Sequence, residues 1–214
     1  MKCSKQTMLL YAVTDRAWVG KETLLQQIED ALKGGATCIQ LREKELDDTH
    51  FLQEALQAKA LCRRYGVPFI IDDDVEIAVK SGADGVHVGQ HDMQAGRVRR
   101  LIGSGMILGV SAQTKEQALA AQENGADYLG VGAVFPTETK KDADAVSYST
   151  LKEICAAVSI PVCAIGGISQ KNLLQLTGSG IDGVALVSAV FGSPNIEKSC
   201  RELLALSRQA AAKE

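Results

Sequence analysis

Three features of the 214-residue sequence predict one α/β domain, a (β/α)8 TIM barrel whose strands are all parallel. A short β-rich run, a polar loop and a helical pattern ending near Gly alternate along the whole chain. The phrases GGAT, SGADG, NGADY and GSGIDG recur just before strands, as four versions of one helix-to-strand turn. The strand runs are near-continuously apolar, as strands buried on both faces must be. A doubly wound parallel sheet fits the same alternation and is the second choice. The length suits one core rather than two, and residues 1–214 show no linker or low-complexity tract.

Taken in order, the strands are expected at MLLYAVTD (from Met8), TCIQLRE (from Thr37), FIID (from Phe69) and GVHVG (from Gly85). The other four are MILGVS (from Met106), YLGVGAV (from Tyr128), PVCAIGG (from Pro161) and GVALVSA (from Gly183). Each should be followed by a helix. After the first strand, Leu24, Leu25, Ile28, Ala31 and Leu32 recur at helical spacing. FLQEALQAKALCRRYG and KEQALAAQENG repeat the pattern, each ending on a Gly suited to a left-handed cap. The longest loop, PTETKKDADAVSY after the sixth strand, is polar and charged and is a candidate lid.

Composition removes several function classes. A net charge of −3 gives no global basic field for nucleic acid or an acidic membrane surface. With only 4% aromatic residues, stacking platforms for single-stranded nucleic acid are not expected. An anionic substrate would therefore need local cations, a metal ion or backbone dipoles. None of the six cysteines forms a C-x-x-C pair, and Cys38 and Cys163 sit in apolar runs, so reduced structural thiols are expected. The apolar run before Thr14 is too short for a signal peptide or membrane span, so a cytoplasmic protein is expected.

Barrel enzymes carry their chemistry on the loops at the C-terminal ends of the strands. Those positions here read QLREK (40–44), DDD (72–74), GQHDM (89–93), VSA (110–112), PTETKK (136–141), IGGI (165–168) and VSA (187–189). Gly166-Gly167 and Ser188 follow the seventh and eighth strands, where backbone N–H groups and helix dipoles commonly hold a phosphate; Gly-Gly can also simply make a tight turn. Arg42 and Lys44 are two apart in an extended segment and share a side with Gln40, although Glu43 and Glu45 are available to neutralise them. Asp73 and Asp92 end neighbouring strands and suit a hard cation that takes its remaining ligands from water and a substrate phosphate. Such a pair can also serve as general acid and base. Asp74 reads as a carboxylate at a helix N-terminus, where it favours the dipole, His87 as a barrel-interior residue with a hydrogen-bond partner, and His91 as an exposed loop residue. No Ser-His-Asp or Cys-His nucleophile is evident.

YAVTD, GGATCIQLREK, GADGVHVGQHDM, LGVSA, GADYLGVGAVFPTETKK, IPVCAIGGI and GVALVSA together resemble the thiamine-phosphate synthase family, from about Tyr11 to Val190. The resemblance implies that Gln40, Arg42 and Lys44 bind hydroxymethylpyrimidine diphosphate while Asp73 and Asp92 hold Mg2+. It implies that Ser111 and Lys140 touch that substrate or its departing diphosphate, and that Thr137, Thr139, Gly167, Val187 and Ser188 hold the thiazole phosphate. Asp72 stands where the family commonly has a pyrimidine-binding Asn; an ionised carboxylate cannot donate a hydrogen bond but can accept one from an amine. The implied reaction ionises the diphosphate, helped by Arg42, Lys44, Ser111 and Lys140, and the thiazole nitrogen captures the resulting cation. A homo-oligomer is the implied assembly. A related thiazole tautomerase, a sugar-phosphate isomerase and a non-catalytic sensor of thiamine precursors are the competing readings.

Overall fold

The computed structural model describes residues 3–20, 22–137 and 145–212. Its eight strands are β1 (Leu10–Val13), β2 (Cys38–Leu41), β3 (Phe69–Asp72), β4 (Gly85–Val88), β5 (Ile107–Ala112), β6 (Tyr128–Val131), β7 (Val162–Ile165) and β8 (Gly183–Leu186). They close into a barrel in sequence order, every pair parallel, with β8 returning to β1. The expected (β/α)8 barrel is therefore the fold.

Period-two alternation separates two cores. Tyr11, Cys38, Ile70, Ile107, Tyr128 and Cys163 point inward and pack with one another. Leu10, Ile39, Ile71, Leu108 and Leu129 point outward against the helices. Those helices are α1 (Leu24–Lys33), α2 (Asp48–Tyr65), α3 (Val75–Ser81), α4 (Ala95–Ile102), α5 (Lys115–Glu123), α6 (Tyr148–Ala157), α7 (Ser188–Phe191) and α8 (Ile196–Ala210). The expected left-handed glycines are present: Gly66 after α2 has φ 67° and Gly125 beyond α5 has φ 86°. Asp74 caps α3, accepting from the Ile77 N–H at 2.8 Å, a contact worth about 1 kcal/mol.

Two expectations change. The run assigned to β1 from Met8 begins as a 3₁₀ turn, Lys5–Met8, capped at Ser4; the strand starts at Leu10. No α-helix follows β7, where a single 3₁₀ turn, Leu173–Leu176, stands instead. Gly178 (φ 78°) and Gly180 (φ 91°) lie directly after it and prevent a helix from propagating.

The four recurring turns do one job at the N-terminal end of the barrel. Thr37 accepts from Leu10 N–H, Asp84 from Phe69, Asp127 from Leu108 and Asp182 from Val162, at 2.8–3.1 Å. In return the N–H of each turn residue bonds the carbonyl of the same strand residue, at 2.7–2.8 Å. Each acidic member also has its own cation: Lys59 at 2.6 Å from Asp84, Arg99 at 2.5 Å from Asp127 and Lys5 at 2.9 Å from Asp182. The repeat thus ties the odd strands β1, β3, β5 and β7 to their successors. All six cysteines are free thiols, and burial pushes Cys62 and Cys200 up to about 12. Among the described residues, no helix is long and apolar enough to cross a membrane.

Candidate active site

A cavity of about 560 Å³ opens among the C-terminal strand ends. Gln40, Arg42, Lys44, Asp72, Asp73, Asp92, Ser111, Thr137, Gly167, Val187 and Ser188 all line it, so residues from seven strand ends meet in one place. Thr139 and Lys140, expected at the same site, lie outside the described residues, as does most of the expected lid.

The cations are held by partners other than Glu43 and Glu45. Arg42 donates from Nη1 to Asp15 Oδ2 at 2.7 Å, and its Nε lies 3.8 Å from Asp72 Oδ2. Lys44 donates to Asp73. Glu43 faces the opposite way along the extended segment and takes Arg16 Nε at 2.7 Å, while accepting the N–H groups of Lys44 and Glu45. Asp15 and Arg16 of the β1 loop therefore grip Arg42 and Glu43 of the β2 loop, two consecutive residues against two. Sequence reasoning missed this clamp, although Asp15 belongs to the YAVTD phrase.

Asp73 has φ 59°, the one described non-glycine residue in the left-handed region, a conformation costing roughly 1–3 kcal/mol. Its N–H is anchored to His87 O at 2.8 Å, and its side chain meets Lys44 and Asp92. Burial, and then Asp92, raise its carboxyl above the ordinary range despite Lys44. Asp72 is pushed up to about 7, chiefly by burial and then by Asp73, against the pull of Lys44 and Arg42. Asp92 accepts from Gly89 N–H at 2.7 Å. Carboxylates crowded until their acidity falls are what a hard cation relieves, and an all-oxygen donor set suits Mg2+. No cluster of three or more His, Cys, Asp or Glu arranged for a metal occurs among the described residues, so protein ligands alone would not complete a shell.

On the opposite side, Gly166 (φ 96°) and Gly167 (φ 64°) make a tight turn after β7 and line the cavity. A Cβ at Gly166 would sit 2.5 Å from Ala133 Cβ, and one at Gly167 2.3 Å from Pro136 O. The glycines let the β6 and β7 loops lie together, with Val134 N–H on Ile165 O and Phe135 N–H on Gly166 O at 3.0 and 3.1 Å. This packing brings Thr137 to the cavity that Ser188 also lines. Ser188 opens α7, which is a single turn, so the dipole expected there is that of one turn only.

The cavity floor holds residues that strand-end positions do not reveal, Tyr11 among them, while His87 is interior and partnered as expected. His87 Nε2 lies 3.0 Å from Ser111 Oγ, a Ser–His contact that the sequence did not reveal. Alternation along β1 and β6, which turns Tyr11 and Tyr128 inward, was the available signal. His91 is exposed, as expected, at the rim.

Residues 10–190 match the family model described as thiamine monophosphate synthase. The chain belongs to that family. The thiamine-phosphate synthase of Ruminiclostridium cellulolyticum is 49% identical over 201 residues, covering 94% of this chain and 96% of that protein. That of Clostridium tetani is 48% identical over 194 residues, covering 91% and 93%. The solved thiamine phosphate pyrophosphorylase from Pyrococcus furiosus superposes with a TM-score of 0.89 at 36% identity, covering 97% of this chain and 99% of that one. The chain is an enzyme of the thiamine-phosphate synthase type, a transferase of thiamine biosynthesis.

Proposed function

We propose that the enzyme joins 4-amino-2-methyl-5-hydroxymethylpyrimidine diphosphate to a thiazole phosphate, releasing diphosphate and forming thiamine phosphate, or to its carboxylated form with the additional loss of CO2. The observation that carries this reading is the meeting of two separate anion-handling groups in one cavity: Arg42 and Lys44 beside Asp73 and Asp92, and Thr137, Gly167, Val187 and Ser188 opposite. Two phosphorylated substrates need two such places.

Arg42, Lys44 and Lys140 neutralise the charge that develops as the carbon–oxygen bond to diphosphate breaks and its electron pair leaves with the oxygen. Ser111 donates to the same anion. Gln40 and Asp72 accept from the exocyclic amine of the pyrimidine. The thiazole nitrogen supplies its own lone pair to the exposed carbon, so the protein provides no nucleophile and moves no proton; its work is alignment and charge. Asp73 and Asp92 would hold Mg2+, which when bound supplies further positive charge against the leaving diphosphate. The charged loop after β6, with Lys140 and Lys141, excludes water that would otherwise trap the cation as an alcohol. We also take the enzyme to act as a single-domain, cytoplasmic homo-oligomer on these small molecules, without nucleic acid or membrane.

The test is diphosphate release by the purified protein with Mg2+ and both substrates, omitting each component in turn. Release that requires all three, with thiamine phosphate appearing in step, is the expected result. Release without the thiazole phosphate, or full rate with Mg2+ removed by chelation, would overturn it.

A further inference from the structure

Below the cavity, five side chains from five strands make one hydrogen-bonded chain across the barrel. Gln40 Nε2 donates to Tyr11 Oη at 2.7 Å, and Tyr11 Oη lies 2.8 Å from Tyr128 Oη. Tyr128 Oη lies 3.0 Å from His87 Nδ1, and His87 Nε2 lies 3.0 Å from Ser111 Oγ. Tyr11 and Tyr128 are 1% and 0% exposed, so water does not compete for these bonds. Room for the chain depends on glycine: a Cβ at Gly109 would lie 2.2 Å from Tyr128 Cζ and 2.5 Å from His87 Nδ1, and one at Gly130 3.1 Å from His87 Cε1.

Proton counting gives the chain a direction. Burial, first among the causes, holds both phenols protonated well above their ordinary range, so each has one proton to give. An amide nitrogen only donates. Tyr11 therefore accepts from Gln40 and gives its proton to Tyr128, which gives its own to His87 Nδ1. The imidazole is then neutral with its proton on Nε2, donating to Ser111. The opposite direction would need the Gln40 amide oxygen turned down to Tyr11. Ser111 would then give its proton to His87, the polarity of a serine nucleophile, and nothing in the proposed reaction uses one.

We propose that Tyr11, Tyr128 and His87 are positioning residues whose one-way chain presents the Gln40 carbonyl as an acceptor and the Ser111 hydroxyl as a donor. This rests on the proposed reaction, in which Gln40 meets the amine of an aminopyrimidine and Ser111 meets its diphosphate. It also explains why a Ser–His contact lies in this site without a nucleophile: His87 carries its proton on the nitrogen that faces the serine.

Nitrogen-15 NMR of the histidine-labelled wild-type enzyme tests the direction, with the His87 signals assigned as those retained in both His50→Gln and His91→Gln, at exposed positions. The expected result is an unprotonated Nδ1 and a protonated Nε2. A protonated Nδ1 would overturn the proposal, and that outcome is read on the wild type, whether or not a variant within the buried chain folds. Tyr128→Phe removes one hydroxyl and keeps the ring. It should give mixed tautomers and a KM for the pyrimidine diphosphate raised about tenfold, the scale of one hydrogen bond, with the KM for the thiazole phosphate unchanged. His87→Gln, which keeps an N–H near Ser111, should recover much of the loss seen in His87→Leu; equal losses count against the relay. If the wild type releases no diphosphate, the reaction itself is misread. If it turns over normally and Tyr128→Phe leaves tautomer and KM unmoved, the relay alone fails.

Discussion

The two ends of the barrel use aspartate in opposite ways. At the N-terminal end, Asp84, Asp127 and Asp182 each face one backbone N–H and one cation of their own, and each fastens one strand to the next. At the C-terminal end, Asp15, Asp72 and Asp73 share Arg42 and Lys44, Asp92 adjoins Asp73, and two of these carboxyls rise in pKa. Neutralised acids hold the fold together; crowded acids leave free energy for a ligand to release. Such a site destabilises the chain that carries it, and the neighbouring structure must hold it in place.

Changing one acid at each end tests that division most severely. Asp73→Asn keeps a residue that tolerates the left-handed backbone and removes the charge. At limiting Mg2+ its turnover should fall on the order of 10²–10³-fold, while the melting temperature does not drop. Unchanged turnover would remove Asp73 from the metal assignment. Asp182→Ala should do the reverse. It strips the buried Val162 N–H of its side-chain acceptor and should cost about 1–3 kcal/mol in urea unfolding, with kcat within about twofold of wild type. A large loss of kcat in the folded variant would erase the distinction between the ends.

The smallest effect concerns the core that both ends share. Cys62 and Cys200 have folded-state values of about 12, against roughly 8.5 in an unfolded chain. Their contribution to stability is complete below the unfolded value and is lost as pH rises from there toward 12, because the unfolded chain sheds protons first. Urea midpoints should therefore decline between about pH 8 and pH 10, and less steeply in Cys62→Ala/Cys200→Ala. An identical slope in that variant would show that other groups govern the alkaline limb.

Much of this was legible locally. Strand and helix phase, the left-handed glycines, the helix start at Asp74 and the identity of the strand-end residues all follow from patterns a few residues long, and the barrel follows from their repetition. The missing helix after β7 was not legible, because LLQL has helical apolar spacing and only the glycines after it cut the turn short. Nor was the close seat of the β6 loop against Gly166-Gly167 legible, because the two loops are far apart in sequence and meet only when the strands pair.

Sequence alone thus dictates which side chains stand at the mouth of the barrel, since period and strand end are local properties of the chain. Which of those side chains meet depends on closure. Arg42 could have taken Glu43, its neighbour in sequence, but takes Asp15, 27 residues away, because parallel strands set the β1 and β2 loops side by side. Tyr11 and Tyr128 are 117 residues apart and touch only because closure of the barrel turns the inward-facing residues of β1 and β6 into one interior. Local geometry sets direction; tertiary packing chooses the partner.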